Sequence, residues 1–213
     1  MMIDKKPMIE IAISRNDICE SNNNIHSNDG EIIFLVAGRT AYRKGHQFLL
    51  DALELIPNEL LYQCRIVGGG SELNKLMNRC RNSQKLSSHV KFTGMLPFTE
   101  MEKEYQNADV FIMPSLRETT GSVLLEAMSK GLPVVTINRF GGSILLDQET
   151  GWLYDGNSKD EFIHNLTDSL IDCIRHPNKV KLRGRNAKER AYQYTWEEKC
   201  KHYEEIYRKL LGE

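Results

Sequence analysis

No apolar run in the 213 residues approaches the ~20 needed to span a bilayer. The first ten residues also lack the apolar core of a signal peptide. Both absences point to a cytoplasmic protein. The five cysteines, Cys19, Cys64, Cys80, Cys173 and Cys200, are widely spaced and include no Cys-x-x-Cys pair. That excludes a disulfide frame or a zinc site and fits free thiols in a reducing compartment. An excess of positive charge is missing too: 28 Lys and Arg stand against 29 Asp and Glu, for a net charge of −1. This argues against a nucleic-acid partner. There are no internal repeats, and the six histidines, His26, His46, His89, His164, His176 and His202, are scattered as satisfied or solvated histidines are, without metal-ligand spacing. With 40% hydrophobic and 27% charged residues, the chain carries enough apolar material for a sizeable core and is no disordered or fibrous sequence.

What is present has a regular order. Residues 1–30 stand apart. Met8–Ser14 has the pattern of a short strand, and Asp17–Gly30, with four Asn and two Ser, reads as a linker. From Glu31 onward short apolar runs at Ile32–Ala37, Tyr62–Val67, Val90–Thr93, Val110–Met113 and Pro133–Ile137 predict strands, with a last one at Gly151–Tyr154. Helical spacing fills the gaps at His46–Leu55, Glu72–Ser83, Phe98–Gln106 and Val123–Lys130. Such alternation predicts βαβ units, and nearly continuous apolar strands predict a parallel sheet covered on both faces. Residues 159–211 are helical in pattern: Lys159–Arg175, stopping before Pro177; Lys179–Tyr192; and a third helix capped by Thr195. The last helix carries an apolar stripe of Tyr203, Ile206, Tyr207, Leu210 and Leu211. The expected fold is α/β, doubly wound and Rossmann-like, with closing C-terminal helices.

In an open parallel sheet, ligands bind beyond the carboxyl ends of the strands. After the first strand, Gly38-Arg39-Thr40-Ala41-Tyr42-Arg43-Lys44-Gly45 sets two cations between glycines. Arg39 offers a planar fork for phosphate oxygens and Lys44 a mobile point charge. After the second strand, Gly68-Gly69-Gly70-Ser71 lets backbone approach an anion, yet it is neither G-x-G-x-x-G nor a P-loop. After the fourth, Pro114–Met128 holds Glu118 in a loop and Glu126 one turn into a helix whose start, Thr119 to Ser122, presents N–H groups. After the fifth strand, Asn138–Ser143 forms another glycine-bearing loop with Arg139. Each feature alone has a plainer reading, as solvated charges or strand-to-helix turns. Together they gather cations, glycines and carboxylates at one sheet edge.

Gly38-Arg39 with Lys44-Gly45, the Glu-x7-Glu array of Glu118 and Glu126 inside PSLRETTGSVLLEAMSKGLPVV, Gly141-Gly142 and Thr150-Gly151 resemble the retaining glycosyltransferases of family GT4. They resemble specifically the C-terminal, nucleotide-sugar-binding half of that two-lobed GT-B fold. The closing YTWEEKCKHYEEIYRKLLGE is similar to the family's last helix.

The resemblance implies transfer of a sugar, with retention, from a UDP- or GDP-linked donor to a glycan or lipid-linked acceptor, as in polysaccharide and glycolipid synthesis. It implies no metal and no separate cofactor. Arg39 and Lys44 would hold the diphosphate and join Glu118 as the catalytic set, with Glu118 on the transferred sugar. Glu126 would hold the ribose. Gly38, Gly68, Thr120, Gly121 and Ser122 would line the donor, and Leu96, in Gly94-Met95-Leu96, would sit by the base.

Two departures stand out. The chain reads Glu118-Thr119-Thr120-Gly121 where the family often has an aromatic, and Leu145 stands where an acid often follows the Gly141-Gly142 pair. Residues 31–213 therefore read as the donor domain, with no room before them for the acceptor lobe. The isolated chain is expected to bind nucleotide with little or no transfer, and peripheral membrane association would belong to a full-length enzyme. Competing readings are a non-catalytic nucleotide-sugar-binding module and another GT-B enzyme, such as a nucleotide-sugar epimerase or a phosphorylase. A dinucleotide-dependent oxidoreductase ranks lower for want of G-x-G-x-x-G.

Overall fold

The computed structural model describes residues 11–18, 30–118 and 121–212. Strands β1 (Ile32–Ala37), β2 (Tyr62–Val67), β3 (Val90–Gly94), β4 (Val110–Met113), β5 (Val134–Ile137) and β6 (Gly151–Tyr154) form one sheet in the order β3-β2-β1-β4-β5-β6. Every pairing is parallel, with Ile32 opposite Tyr62 and Phe34 opposite Val110. The period of two in β1 sends Phe34 to one face and Leu35 to the other, and both are fully buried. β4 and β5 are buried at every position, as the continuous apolar runs VFIM and VVTI require.

Helices cover both faces. On one side lie α1 (His46–Leu55), α2 (Leu73–Arg81), α3 (Gln84–His89) and α7 (Lys159–Arg175). On the other lie α4 (Phe98–Gln106), α5 (Ser122–Ser129), α6 (Phe140–Leu145) and the later turns of α8 (Pro177–Ala191). Each buried Leu, Ile, Val or Phe contributes about 1.5–3 kcal/mol relative to exposure. The chain closes with α9 (Trp196–Leu211), whose N-cap Thr195 accepts a hydrogen bond from the Glu198 N–H as its sequence leads one to expect.

Four expectations need correction. The stretch Glu72–Ser83 is not one helix reaching Ser83: α2 ends at Arg81 and Ser83 caps α3, accepting from the Leu86 N–H. Asn138–Ser143 is not an open loop but leads into α6, with Phe140 left-handed at φ 54. The helix placed at Lys179–Tyr192 starts earlier, with Pro177 in its first turn, where a missing N–H costs nothing. Within Met8–Ser14, residues 8–10 lie outside the described residues and Ile13 makes only an isolated bridge to Thr195. The linker expected over 17–30 lies mostly outside them as well.

Cys64, Cys80 and Cys173 are buried free thiols, and Cys200 is exposed. The stripe on α9 is present and faces solvent, with Tyr207, Leu210 and Leu211 at 65%, 63% and 75% exposure. Among the described residues no helix is long and apolar enough to cross a membrane.

Candidate functional site

The strand order reverses between β1 and β4, and the loops leaving those strands diverge there to leave a crevice. Backbone hydrogen bonds knit its walls. The Gly38 N–H donates to the Val67 carbonyl at 3.0 Å, the Gly68 N–H to Gly94 at 2.7 Å and the Leu116 N–H to Arg43 at 2.9 Å. The loops after β1, β2, β3 and β4 are thus fixed relative to one another. Gly68 is needed for this closeness, since a Cβ there would stand 1.9 Å from the Gly38 carbonyl oxygen.

The crevice is a cleft of ≈ 450 Å³. Gly38, Arg39 and Lys44 line it from the β1 loop, and Gly68 and Leu96 from the next two. Glu118, Gly121, Ser122 and Glu126 close the opposite wall. The catalytic and donor-binding residues that the resemblance implies are therefore brought to one place, except Thr120, which, like Thr119, lies outside the described residues. Arg139 is not brought there: its guanidinium donates to Asn157 Oδ1 at 2.6 Å.

Lys44 and Glu118, 74 residues apart, form an ion pair across the cleft, with side chains 19% and 15% exposed. Ser115 Oγ also approaches Glu118 Oε2, at 3.5 Å. This pairing ties the cation of the β1 loop to the carboxylate of the β4 loop. Deeper along α5, Glu126 Oε2 accepts from the Tyr105 hydroxyl at 3.2 Å. Burial holds the Glu126 carboxyl above its ordinary value, against the downward pull of the Tyr105 hydrogen bond and the Lys130 charge. The first N–H groups of α5, from Ser122, have no carbonyl behind them in the helix and meet the cleft with the positive end of the dipole.

Sequence reasoning missed Tyr105. It sits on α4, 6% exposed, against Phe111 and in both the core and the cleft wall. Its position four residues after Met101, also in the wall, was the available signal.

The reading of all histidines as satisfied or solvated also needs correction at His46. This residue opens α1 next to Lys44, is 2% exposed, and neither ring nitrogen has a hydrogen-bond partner among the described residues. Burial, with the Lys44 charge adding to it, lowers its pKa to about 4 from the ordinary 6.5. A histidine with a lowered folded-state pKa binds fewer protons folded than unfolded. Its contribution is complete above 6.5 and is lost as pH falls toward 4. Wild type should lose ~2 kcal/mol of stability between pH 7 and pH 5 that a His46→Gln variant does not lose, measured by urea denaturation. Parallel pH profiles for the two proteins would contradict the assignment.

Residues 17–203 match the family described as glycosyl transferases group 1. The chain belongs to that family. Among its relatives, a GDP-mannose-dependent alpha-(1-6)-phosphatidylinositol monomannoside mannosyltransferase of Mycolicibacterium smegmatis is 35% identical over 156 residues, covering 67% of this chain and 40% of that protein. Two solved structures share the fold. One is Anabaena HepE in complex with UDP, with TM-score 0.72 and 22% identity over 96% of this chain and 57% of that one. The other is the C-terminal domain of a group 1 family protein (LpcC) from Francisella tularensis. It has TM-score 0.65 and 21% identity, covering 78% of this chain and 87% of that one. The chain spans between 30% and 50% of the length of the first curated relatives it matches.

Proposed function

We propose that this chain is the donor-binding half of a retaining GT4 glycosyltransferase, which takes a sugar from a nucleoside diphosphate and passes it to a glycan or lipid-linked acceptor. The observation that carries this reading is the gathering of Arg39, Lys44, Glu118 and Glu126 around one cleft at the switch point of the sheet. Arg39 and Lys44 take the diphosphate. When the bond from the sugar C1 to the phosphate oxygen breaks, the diphosphate leaves with the electron pair, and these two cations meet its growing charge. Glu118, held by Lys44, accepts hydrogen bonds from the hydroxyls of the sugar being transferred. Glu126 accepts from the ribose hydroxyls, and the N-terminus of α5 faces phosphate oxygens. Loop Gly94-Met95-Leu96 lies over the base.

The relatives' names support a glycoconjugate acceptor: phosphatidylinositol monomannoside for the mycobacterial enzyme. The acceptor would be held by a second lobe, and full transfer needs both lobes closed around the reactants.

Thermal shift with UDP, GDP, ADP and NAD tests the reading. A nucleoside diphosphate at ~100 times its Kd adds about 2.7 kcal/mol, or roughly 5–10 °C for a domain of this size. Stabilisation by NAD alone would favour an oxidoreductase instead.

A further inference from the structure

The donor cleft does not end at Glu126. A second cavity of ≈ 310 Å³ lies on its far side, between α4, α5 and residues 11–17, and Tyr105 and Glu126 line both spaces. The Glu126 carboxylate thus stands in a partition and has two ways to turn. Its expected helical partner is Lys130, four residues on, and Lys130 opens onto the second cavity, not the donor cleft. Lys130 is already engaged, its Nζ lying 2.8 Å from Glu102 Oε2. Glu102 and Tyr105 are three apart on α4 and so share a face. One residue takes the competing cation and the other donates to the carboxylate.

From this we infer that Tyr105 and Glu102 are positioning residues. Together they hold the Glu126 carboxylate toward the donor cleft, and α4 thereby sets the preference for a nucleotide with ribose hydroxyls. The inference rests on the proposed donor site and extends it to residues that need not touch the nucleotide. Glu102 lines only the second cavity. Freed by its loss, Lys130 draws Glu126 away from the cleft. Loss of the Tyr105 hydroxyl removes the hydrogen bond that keeps Oε2 in place.

The experiment is calorimetric titration of the purified chain with UDP and GDP and with their 2′,3′-dideoxy counterparts, at several pH values. Wild type should bind the ribonucleotide of its preferred base ~10-fold or more tightly than the dideoxy form, the scale of hydrogen bonds to a charged group. Tyr105→Phe should cut that ratio about fivefold, the ribonucleotide losing more affinity than the dideoxy form. Glu102→Gln should cut it too, and adding Lys130→Met to Glu102→Gln should restore it. Burial and the Asp17 charge raise the Glu126 pKa, and the phenol and Lys130 lower it, so without the phenol the pH at which ribonucleotide affinity is half lost should rise in Tyr105→Phe. A purely structural role for Tyr105 weakens both nucleotides equally, leaves the pH midpoint in place, and overturns the assignment. An unchanged ratio in both single variants overturns it as well. If wild type binds none of the four nucleotides, the donor reading falls and takes this inference with it; the other negative outcomes leave that reading standing.

Discussion

Lys44→Ala should lose ~30–100-fold in affinity for the preferred nucleoside diphosphate while remaining folded. Removing one member of a desolvated charge pair at an interface costs about 2–5 kcal/mol, and the partial exposure of this site places the loss at the low end. Two effects combine: the phosphate loses a cation, and Glu118 is left facing it as an unbalanced negative charge. The cost to folding is small, since part-exposed ion pairs contribute ~0–1 kcal/mol. Calorimetry with UDP and GDP gives the first number and thermal denaturation of the free protein the second. A variant that binds nucleotide as tightly as wild type would mean that the cations of the β1 loop are ordinary surface charges.

Gly45→Ala should damage both the fold and the site. Gly45 ends the turn that carries Lys44 and begins α1, at φ +74, where an added Cβ would stand 1.8 Å from the Pro114 carbonyl oxygen. The left-handed conformation alone costs an alanine ~1–2 kcal/mol. Relief of the contact requires the β1 and β4 loops to part, and these carry Lys44 and Glu118. The sum should exceed ~3 kcal/mol, lowering Tm by ~6–12 °C, and nucleotide affinity should fall as well. Gly94→Ala is the control: its φ of +72 is nearly the same, but nothing lies within 4 Å of the added carbon. It should lose only the conformational part. Equal losses at the two positions would show that the loop contact carries no weight.

The difference between what the sequence discloses and what it hides follows from where the information lies. β1, β4 and β6 fall where their runs of apolar residues predict, because a strand buried on both faces admits little else; β2 also falls on its expected range, though Gln63 and Arg65 are only half-buried. α3 stayed hidden because its six residues bury only Leu86 and offer no period to read. α6 was obscured by Gly141 and Gly142, which read as loop residues but are buried helix positions. At the site, residues that follow strands could be placed from the fold's logic, so Arg39, Lys44, Glu118 and Glu126 were legible one by one. Their partners were not. Nothing local in the chain couples Lys44 to Glu118 or Tyr105 to Glu126, because tertiary packing alone brings these pairs together.

The measurement that bears most directly on the proposed function is a crystal structure of this chain with its preferred nucleoside diphosphate. The account predicts phosphate oxygens within hydrogen-bond distance of Arg39 and Lys44, and ribose hydroxyls on Glu126 with Tyr105 still bound behind it. A nucleotide seated away from the β1–β4 crevice, or one reversed so that its ribose meets Lys44, would contradict it.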